Sequence, residues 1–253
     1  MKSFFSLLTG LIFASVALGA DSTNTPANPP LRVGVSPVFP PMVFKQGKEL
    51  AGVEIDLARA LGKRLDRKVE FVQLPWKDQI DDLNDGKTDI IMSSMSVTMA
   101  RRYMVGFSKP YAAVGQMALV RRENKHEYAF GFPARPAGTI GVMRATTGEF
   151  LVQRDFPKAK FKSYDKGEDA AQALAKKKIS MFVSDSTLVW YLAGKHAADG
   201  LTVVPMALSE ERLAWAVRKN DEALLAEVNE FIDDSTKDGT LLKALRRWTA
   251  VGE

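Results

Sequence analysis

The stretch DIIMSSMSVTMARR, Asp89–Arg102, joins two patterns, and their meeting decides the fold. Its opening residues are apolar on successive positions, which marks a strand buried on both faces. Small hydroxyl residues follow at once: Ser93, Ser94, Ser96 and Thr98, with Arg101 three positions beyond the last. Hydroxyls at a strand end either cap the next helix or form half of an anion site. Free backbone N–H groups at a helix start attract anions, and an arginine adds a bidentate fork. Taken alone, the stretch leaves cap and site open. It also leaves phosphate, sulfate and carboxylate open.

Upstream and downstream, strands and helices alternate. LRVGVS reads as a strand from Leu31, and VEIDLARALGKRL places Leu57, Ala58, Leu61 and Leu65 on one helical face. VEFVQ is a strand, KDQIDDLNDG a short helix stopped at Gly86, and TDIIM a strand. This β-α-β-α-β order predicts mostly parallel sheets with helices on both faces. A second alternating unit follows GQMALVRR: TIGVM, a helix from about Gly148, KFKS, EDAAQALAKKK, ISMFV, STLVWYLAGK and LTVVPM. RLAWAVRK reads as one strand, and two helices close the chain, the first with Leu224, Leu225, Val228, Phe231 and Ile232 on one face. The expected architecture is an α/β fold of two lobes. Residues 31–116 and 218–253 form the first and 117–217 the second, with hinge strands near Gln116–Val120 and Arg212–Val217. Two lobes on two crossings place the natural ligand site in the cleft between them.

Residues 1–20, MKSFFSLLTGLIFASVALGA, pair Lys2 with an apolar run and small residues at 17, 19 and 20. That is the pattern of a cleaved export signal, cut after Gly19 or Ala20. Residues 21–30 read as a polar, proline-rich tether. The 253 residues contain no cysteine, which removes disulfides, thiolate nucleophiles and a lipid anchor at the cleavage point. The formal net charge of +5 is spread through the chain without a long basic block, so it describes a solvated surface and no nucleic-acid partner is expected. His126 and His196 stand in polar surroundings and read as surface residues. The acidic runs DDLND and FIDDS read as exposed helix faces. No phosphate loop, dinucleotide fingerprint or nucleophile elbow occurs, so no enzyme, cofactor or metal is expected.

Three segments converge on the expected cleft. SSMSVTMAR follows one strand end, and RATTGEF, Arg144–Phe150, repeats the arrangement in the second unit. FVSDS places Asp185 just past a third apolar strand, as a helix cap or as the partner of an ammonium group. One cation, one anion and two hydroxyl-rich helix starts suit an α-amino acid zwitterion.

On these residues the chain resembles the periplasmic amino-acid-binding proteins of ABC importers, solute-binding protein family 3, with a type II periplasmic-binding fold. The resemblance runs from LRVGVSPVFPPMVF through GVEIDLARALGKRL, DIIMSSMSVTMARRYMVGFSKPY and AVRKNDEALLAEVNEFI to KDGTLLKALRRW. It implies that Arg101 grips the ligand carboxylate and that Ser94 and Ser96 bond its carboxylate and ammonium ends. It also implies that Thr146 and Thr147 close on the carboxylate, that Asp185 binds the ammonium group, and that Phe39 and Trp76 flank the side chain. Three departures matter. Met99-Ala100 replaces the acids common before the arginine, Ala145 stands where many members have glycine, and Ser36 stands where binders of cationic amino acids carry aspartate. Ser36 counts against lysine, arginine or ornithine, while Arg144 either favours an acidic side chain or faces solvent. The implied protein is a monomeric periplasmic receptor that delivers a polar or acidic L-amino acid to a membrane permease. The same fold also carries cyclohexadienyl dehydratases, which use an acidic residue at the position of Leu188 here. It also serves in ligand sensing.

Overall fold

The computed structural model describes residues 28–129, 131–132 and 138–249. The expected signal and most of the tether, residues 1–27, lie outside the described residues. In chain order the first lobe opens with β1 (Leu31–Val35), the meander β2 (Val38–Phe39), β3 (Val43–Gln46) and β4 (Glu49–Ala51), and helix α1 (Val53–Arg64). β5 (Val69–Gln73), a 3-10 turn at Trp76–Asp78, α2 (Gln79–Asn84), β6 (Ile90–Ile91), α3 (Met99–Met104) and β7 (Gly106–Phe107) follow. β8 (Ala112–Val114) and β9 (Gln116–Arg121) lead into the second lobe. That lobe holds β10 (Thr139–Met143), α4 (Thr147–Asp155), β11 (Lys160–Tyr164), α5 (Gly167–Ala175), β12 (Met181–Asp185), α6 (Ser186–Lys195) and β13 (Leu201–Val204). β14 (Glu211–Leu213) and β15 (Ala216–Val217) bring the chain back, and α7 (Glu222–Lys237) and α8 (Thr240–Thr249) complete the first lobe.

The helices form where the apolar spacing demands. Leu57, Ala58 and Leu61 of α1 are buried, as are Leu224, Val228, Phe231 and Ile232 of α7. Burying each such side chain contributes roughly 1.5–3 kcal/mol. Gly62 lets α1 lie close to β5, since a Cβ there would meet Val69 Cγ2 at 2.3 Å.

Each lobe is built on one five-stranded sheet, in the order β5-β1-β6-β15-β7 and β11-β10-β12-β9-β13. The sheets are mostly parallel, as expected, and each is mixed through a single strand that runs against the other four. β5, β1 and β6 are parallel, and β15 runs against β6 and β7. In the second sheet β11, β10 and β12 are parallel, and β9 runs against β12 and β13. The reason is connectivity. A strand arriving from the other lobe enters at the cleft, where the parallel strands end, and so must run opposite to them.

The strands between the sheets are β8 and β14, paired antiparallel with Val114 opposite Glu211. Gln116–Arg121 already belongs to the second sheet and Ala216–Val217 to the first. RLAWAVRK is therefore two short strands, broken where Trp215 turns into the core and donates from Nε1 to Glu54 Oε2 at 2.8 Å. Two surface assignments also change. His196 is buried at the end of α6, with Nδ1 2.7 Å from Asp199 Oδ2 and Nε2 3.0 Å from Glu168 Oε1. Asp82 of the DDLND run is buried and pairs with Lys87.

Candidate functional site

β6 ends at Ile91, and the hydroxyl loop begins where its sheet gives out. Ser93 Oγ accepts the Ser36 amide at 2.8 Å, which ties the end of β1 to this loop. Ser94 has φ 59° and donates its N–H to Glu54 Oε1 at 2.7 Å. Glu54 is fully buried and also accepts from Trp215 and the Tyr111 hydroxyl. Burial pushes its carboxyl above the ordinary value, while these three donors pull the other way. Ser94 Oγ is buried and makes no hydrogen bond among the described residues. Thr98 caps α3, its Oγ1 accepting the Arg101 amide at 3.2 Å.

The second lobe repeats the device. Ala145 has φ 57° and donates its N–H to Glu149 Oε2 at 2.7 Å, while the Ser163 hydroxyl donates to Oε1. Among the described residues, the two other positive-φ residues that are not glycine, Asp66 and Lys177, lie just past α1 and α5. Left-handed residues are common at that place. Ser94 and Ala145 follow strand ends instead, one in each lobe. A left-handed backbone costs a non-glycine residue about 1–2 kcal/mol. It persists here because a glutamate clamps each amide.

Arg101 is buried on α3, and its Nη1 donates to the Ser96 carbonyl at 2.9 Å. Its guanidinium lies 5.1 Å from the Trp76 ring, a cation–π contact. Burial lowers its pKa from the ordinary value, and the charges of Asp185 and Glu211 oppose that shift. Asp185 ends β12, and although it precedes α6 its side chain makes no cap. It accepts instead from Gln116 Nε2 at 2.6 Å. Its carboxyl is pushed up to about 6 by burial first and then by the Glu211 charge, against the Gln116 hydrogen bond and the Arg101 charge.

Glu211 and Gln116 were not among the residues expected from sequence. Glu211 Oε1 accepts from Ser209 Oγ at 2.9 Å and Gln116 Nε2 at 3.0 Å, and Oε2 accepts from Thr147 Oγ1 at 2.8 Å. A charged residue in the three-residue strand Glu211–Leu213 carries no sequence signal of its own. Only the pairing of β14 with β8 brings it to the cleft, beside the start of β9. Gln116 is fully buried against α4: a Cβ on Gly148 would lie 2.5 Å from its Oε1.

Trp76 divides the cleft. Its Nε1 donates to the Ala145 carbonyl at 2.9 Å, and its ring meets Phe39 edge-on at 5.1 Å between centroids. On one side lies a cavity of about 600 Å³ lined by Arg101, Thr147 and Glu211, with apolar walls from Ile80, Met104 and Phe150. On the other lies one of about 450 Å³ lined by Ser36, Leu74, Met143 and Arg144. Arg101, Thr147, Trp76 and Phe39 thus converge, with Asp185 joined to them through Gln116. Ser94 and Ser96 belong to the loop beneath. The Thr146 hydroxyl donates to the Met143 carbonyl at 2.8 Å, a bond within its own loop. Arg144 is exposed and bonds Asp165 Oδ1 through Nε at 2.8 Å.

The family model for bacterial extracellular solute-binding proteins, family 3, matches residues 31–251. The L-cystine-binding protein TcyJ of Escherichia coli (strain K12) is 27% identical, over 86% of this chain and 82% of its own. Among solved structures, an ancestral amino acid-binding protein that is a precursor of cyclohexadienyl dehydratase superposes with a TM-score of 0.79 at 35% identity, covering 87% of this chain and 95% of that one. An ancestral arginine-binding protein bound to arginine gives 0.80 at 30% identity, covering 88% and 99%.

Proposed function

We propose that this chain, which belongs to the bacterial extracellular solute-binding proteins of family 3 and binds a small amino-acid-like ligand between its two lobes, is a periplasmic receptor for a polar L-amino acid. It hands that ligand to the permease of an ABC importer. One observation carries the amino-acid reading. A buried guanidinium, Arg101, and a buried carboxylate, Asp185, approach one cleft from opposite lobes, and neither makes an ion pair within 4 Å among the described residues. Two unpaired buried charges of opposite sign are costly on their own. A zwitterion offsets both at once, its carboxylate on Arg101 and Thr147 and its ammonium group on Asp185. An acidic side chain drew its support from Arg144, whose guanidinium is bonded to Asp165. The polar alternative is therefore the better supported.

Heating the purified protein against a panel of L-amino acids tests this. At about 100 times its dissociation constant, a ligand stabilises the fold by ~2.7 kcal/mol. A melting temperature unmoved by every amino acid would overturn the assignment. The dehydratase reading has the ancestral precursor in its favour. Against it, Leu188 is an apolar side chain, 1% exposed, packed into the second lobe beside the position of Gly167. It offers no proton to a leaving group. We take the protein to be a binder without catalysis, and turnover of prephenate or arogenate would show otherwise.

A further inference from the structure

Glu54 stands second in helix α1, within the run GVEIDLARALGKRL, and lines neither cavity of the cleft. It is fully buried. Its two oxygens reach three separate elements. Oε1 accepts the Ser94 amide at 2.7 Å, from the loop that leads to Arg101, and also the Tyr111 hydroxyl. Oε2 accepts the Trp215 indole at 2.8 Å. Tyr111 immediately precedes β8, and Trp215 lies between β14 and β15. These two residues therefore mark where each crossing strand leaves the first lobe. Their rings stack, 5.1 Å between centroids. One carboxylate thus grips the cleft loop and the roots of both crossings.

The backbone repeats the connection. Val97 donates its N–H to the Arg212 carbonyl at 2.9 Å, and Ala214 donates to the Met95 carbonyl at 3.1 Å. Ser96 and Leu213 face each other between these bonds as an antiparallel bridge. At the far end the crossings are fastened to the second lobe. The Ser186 N–H donates to the Gly115 carbonyl at 2.8 Å, and the Leu208 N–H to the Gln116 carbonyl at 2.7 Å. A Cβ on Gly115 would lie 2.1 Å from the Ser209 carbonyl oxygen, so the two crossings touch backbone to backbone there. Between the two sets of anchors lie Val114 on one strand and Glu210–Glu211 on the other.

We propose that Glu54 is a positioning residue for lobe closure. It makes the Arg101 loop and the first-lobe ends of both crossings one rigid body, and the lobes bend beyond it, at Val114 and at Glu210–Glu211. Hydrogen bonds to a carboxylate are the strong ones, and a fully satisfied buried network holds a single arrangement. Arg101 keeps its place against β14 while the second lobe carries Thr147 and Asp185 toward it. This role depends on the two lobes and not on which amino acid lies between them.

The chain has no cysteine, so an engineered pair is unambiguous. Ser96 and Leu213 form a non-hydrogen-bonded antiparallel pair, whose Cα atoms stand about 4.5 Å apart, within reach of a disulfide. Dyes attached through azide-bearing residues, one on each lobe, report the spread of interlobe distances in the free protein. In Ser96→Cys/Leu213→Cys, oxidation is expected to leave that spread as it is in the reduced sample, because the two residues do not part during opening. Glu54→Gln keeps one oxygen but turns an amide nitrogen toward the remaining donors. It is expected to raise the open fraction about threefold or more, and the oxidised cross-link on the same background to restore the wild-type value. A loss of stability alone would not be undone in the interlobe distance by a cross-link within the first lobe. Trp215→Phe removes one donor only and should shift the spread less, in the same direction. Circular dichroism confirms the fold of each variant, and where Glu54→Gln does not fold, Trp215→Phe carries the comparison. An oxidised pair that freezes the lobes at one distance overturns the proposal, as does a wild-type spread in the folded Glu54 or Trp215 variant.

Discussion

The indole nitrogen of Trp76 donates to the carbonyl oxygen of Ala145 at 2.9 Å, joining the first lobe to the second across the mouth of the cleft. Ala145 is also one of the two strained loop residues, so the strand-end turn of one lobe is held by an aromatic ring of the other. Trp76→Phe keeps a ring beside Arg101 and Phe39 and removes only the donor. A neutral hydrogen bond is worth about 1 kcal/mol net. The closed-to-open ratio of the free protein should therefore fall roughly fivefold, read from the distance between one dye on each lobe. An unchanged distance distribution would show that the bond does not hold the lobes together.

Arg101→Ala should lower ligand affinity by at least about a hundredfold, because it removes the cation that a desolvated carboxylate requires. The fold should survive, since Arg101 makes one side-chain hydrogen bond, to the Ser96 carbonyl. Titration and circular dichroism on the same sample separate the two effects. Arg144→Ala should leave affinity within about twofold, because an exposed pair such as Arg144–Asp165 contributes little.

Glu54 is the acceptor for three buried donors: the Ser94 amide, the Tyr111 hydroxyl and the Trp215 indole. Glu54→Ala leaves all three without a partner and opens a cavity beneath the cleft loop. We expect a loss of about 3–5 kcal/mol in chemical denaturation, with Glu54→Gln milder because it retains an acceptor. A Glu54→Ala protein as stable as the wild type would mean that the strain at Ser94 is held by something else.

Asp185 sets a pH dependence. Its carboxyl is raised from 3.8 to about 6 in the folded protein, so ionisation there is unfavourable. The free protein should lose stability as pH rises from about 4 to about 6, by ~3 kcal/mol. Binding runs the opposite way. An ammonium group needs the ionised carboxylate, so affinity should fall about tenfold between pH 7.5 and pH 5 as that form becomes scarce. Asp185→Asn should bind weakly and without this slope. A wild-type affinity flat across that range would remove Asp185 from the ammonium site.

The sequence made the lobes legible because period-2 and period-3.6 patterns survive in buried elements such as β10 and α7. The hydroxyl-rich helix start at Ser93–Thr98 and the arginine that follows it were readable because both depend on spacing within one turn of helix. Glu211 and Gln116 were not readable. Their place in the cleft comes from a two-stranded pairing between residues about a hundred positions apart. The partner of Arg144 was hidden for the same reason, since Asp165 is brought to it by the parallel pairing of β10 and β11. His196 looked polar because its neighbours are, yet two carboxylates fold around it.

The position of β15 in the first sheet has a bearing on how the chain becomes a protein at all. Ala216–Val217 fills the slot between β6 and β7, so that sheet is incomplete until nearly the whole polypeptide exists. Asp89, which takes Arg32 and Arg67 early, waits equally long for Arg218. The second sheet is drawn wholly from residues 116–204 and needs nothing that comes later. A chain emerging amino end first can therefore settle its second lobe while β6 still presents an unpaired edge, the kind of surface that invites aggregation. A chain halted after Pro205 should show slow amide exchange in β10 and β12 and fast exchange in β6, which puts the need for a chaperone on the half of the molecule made first.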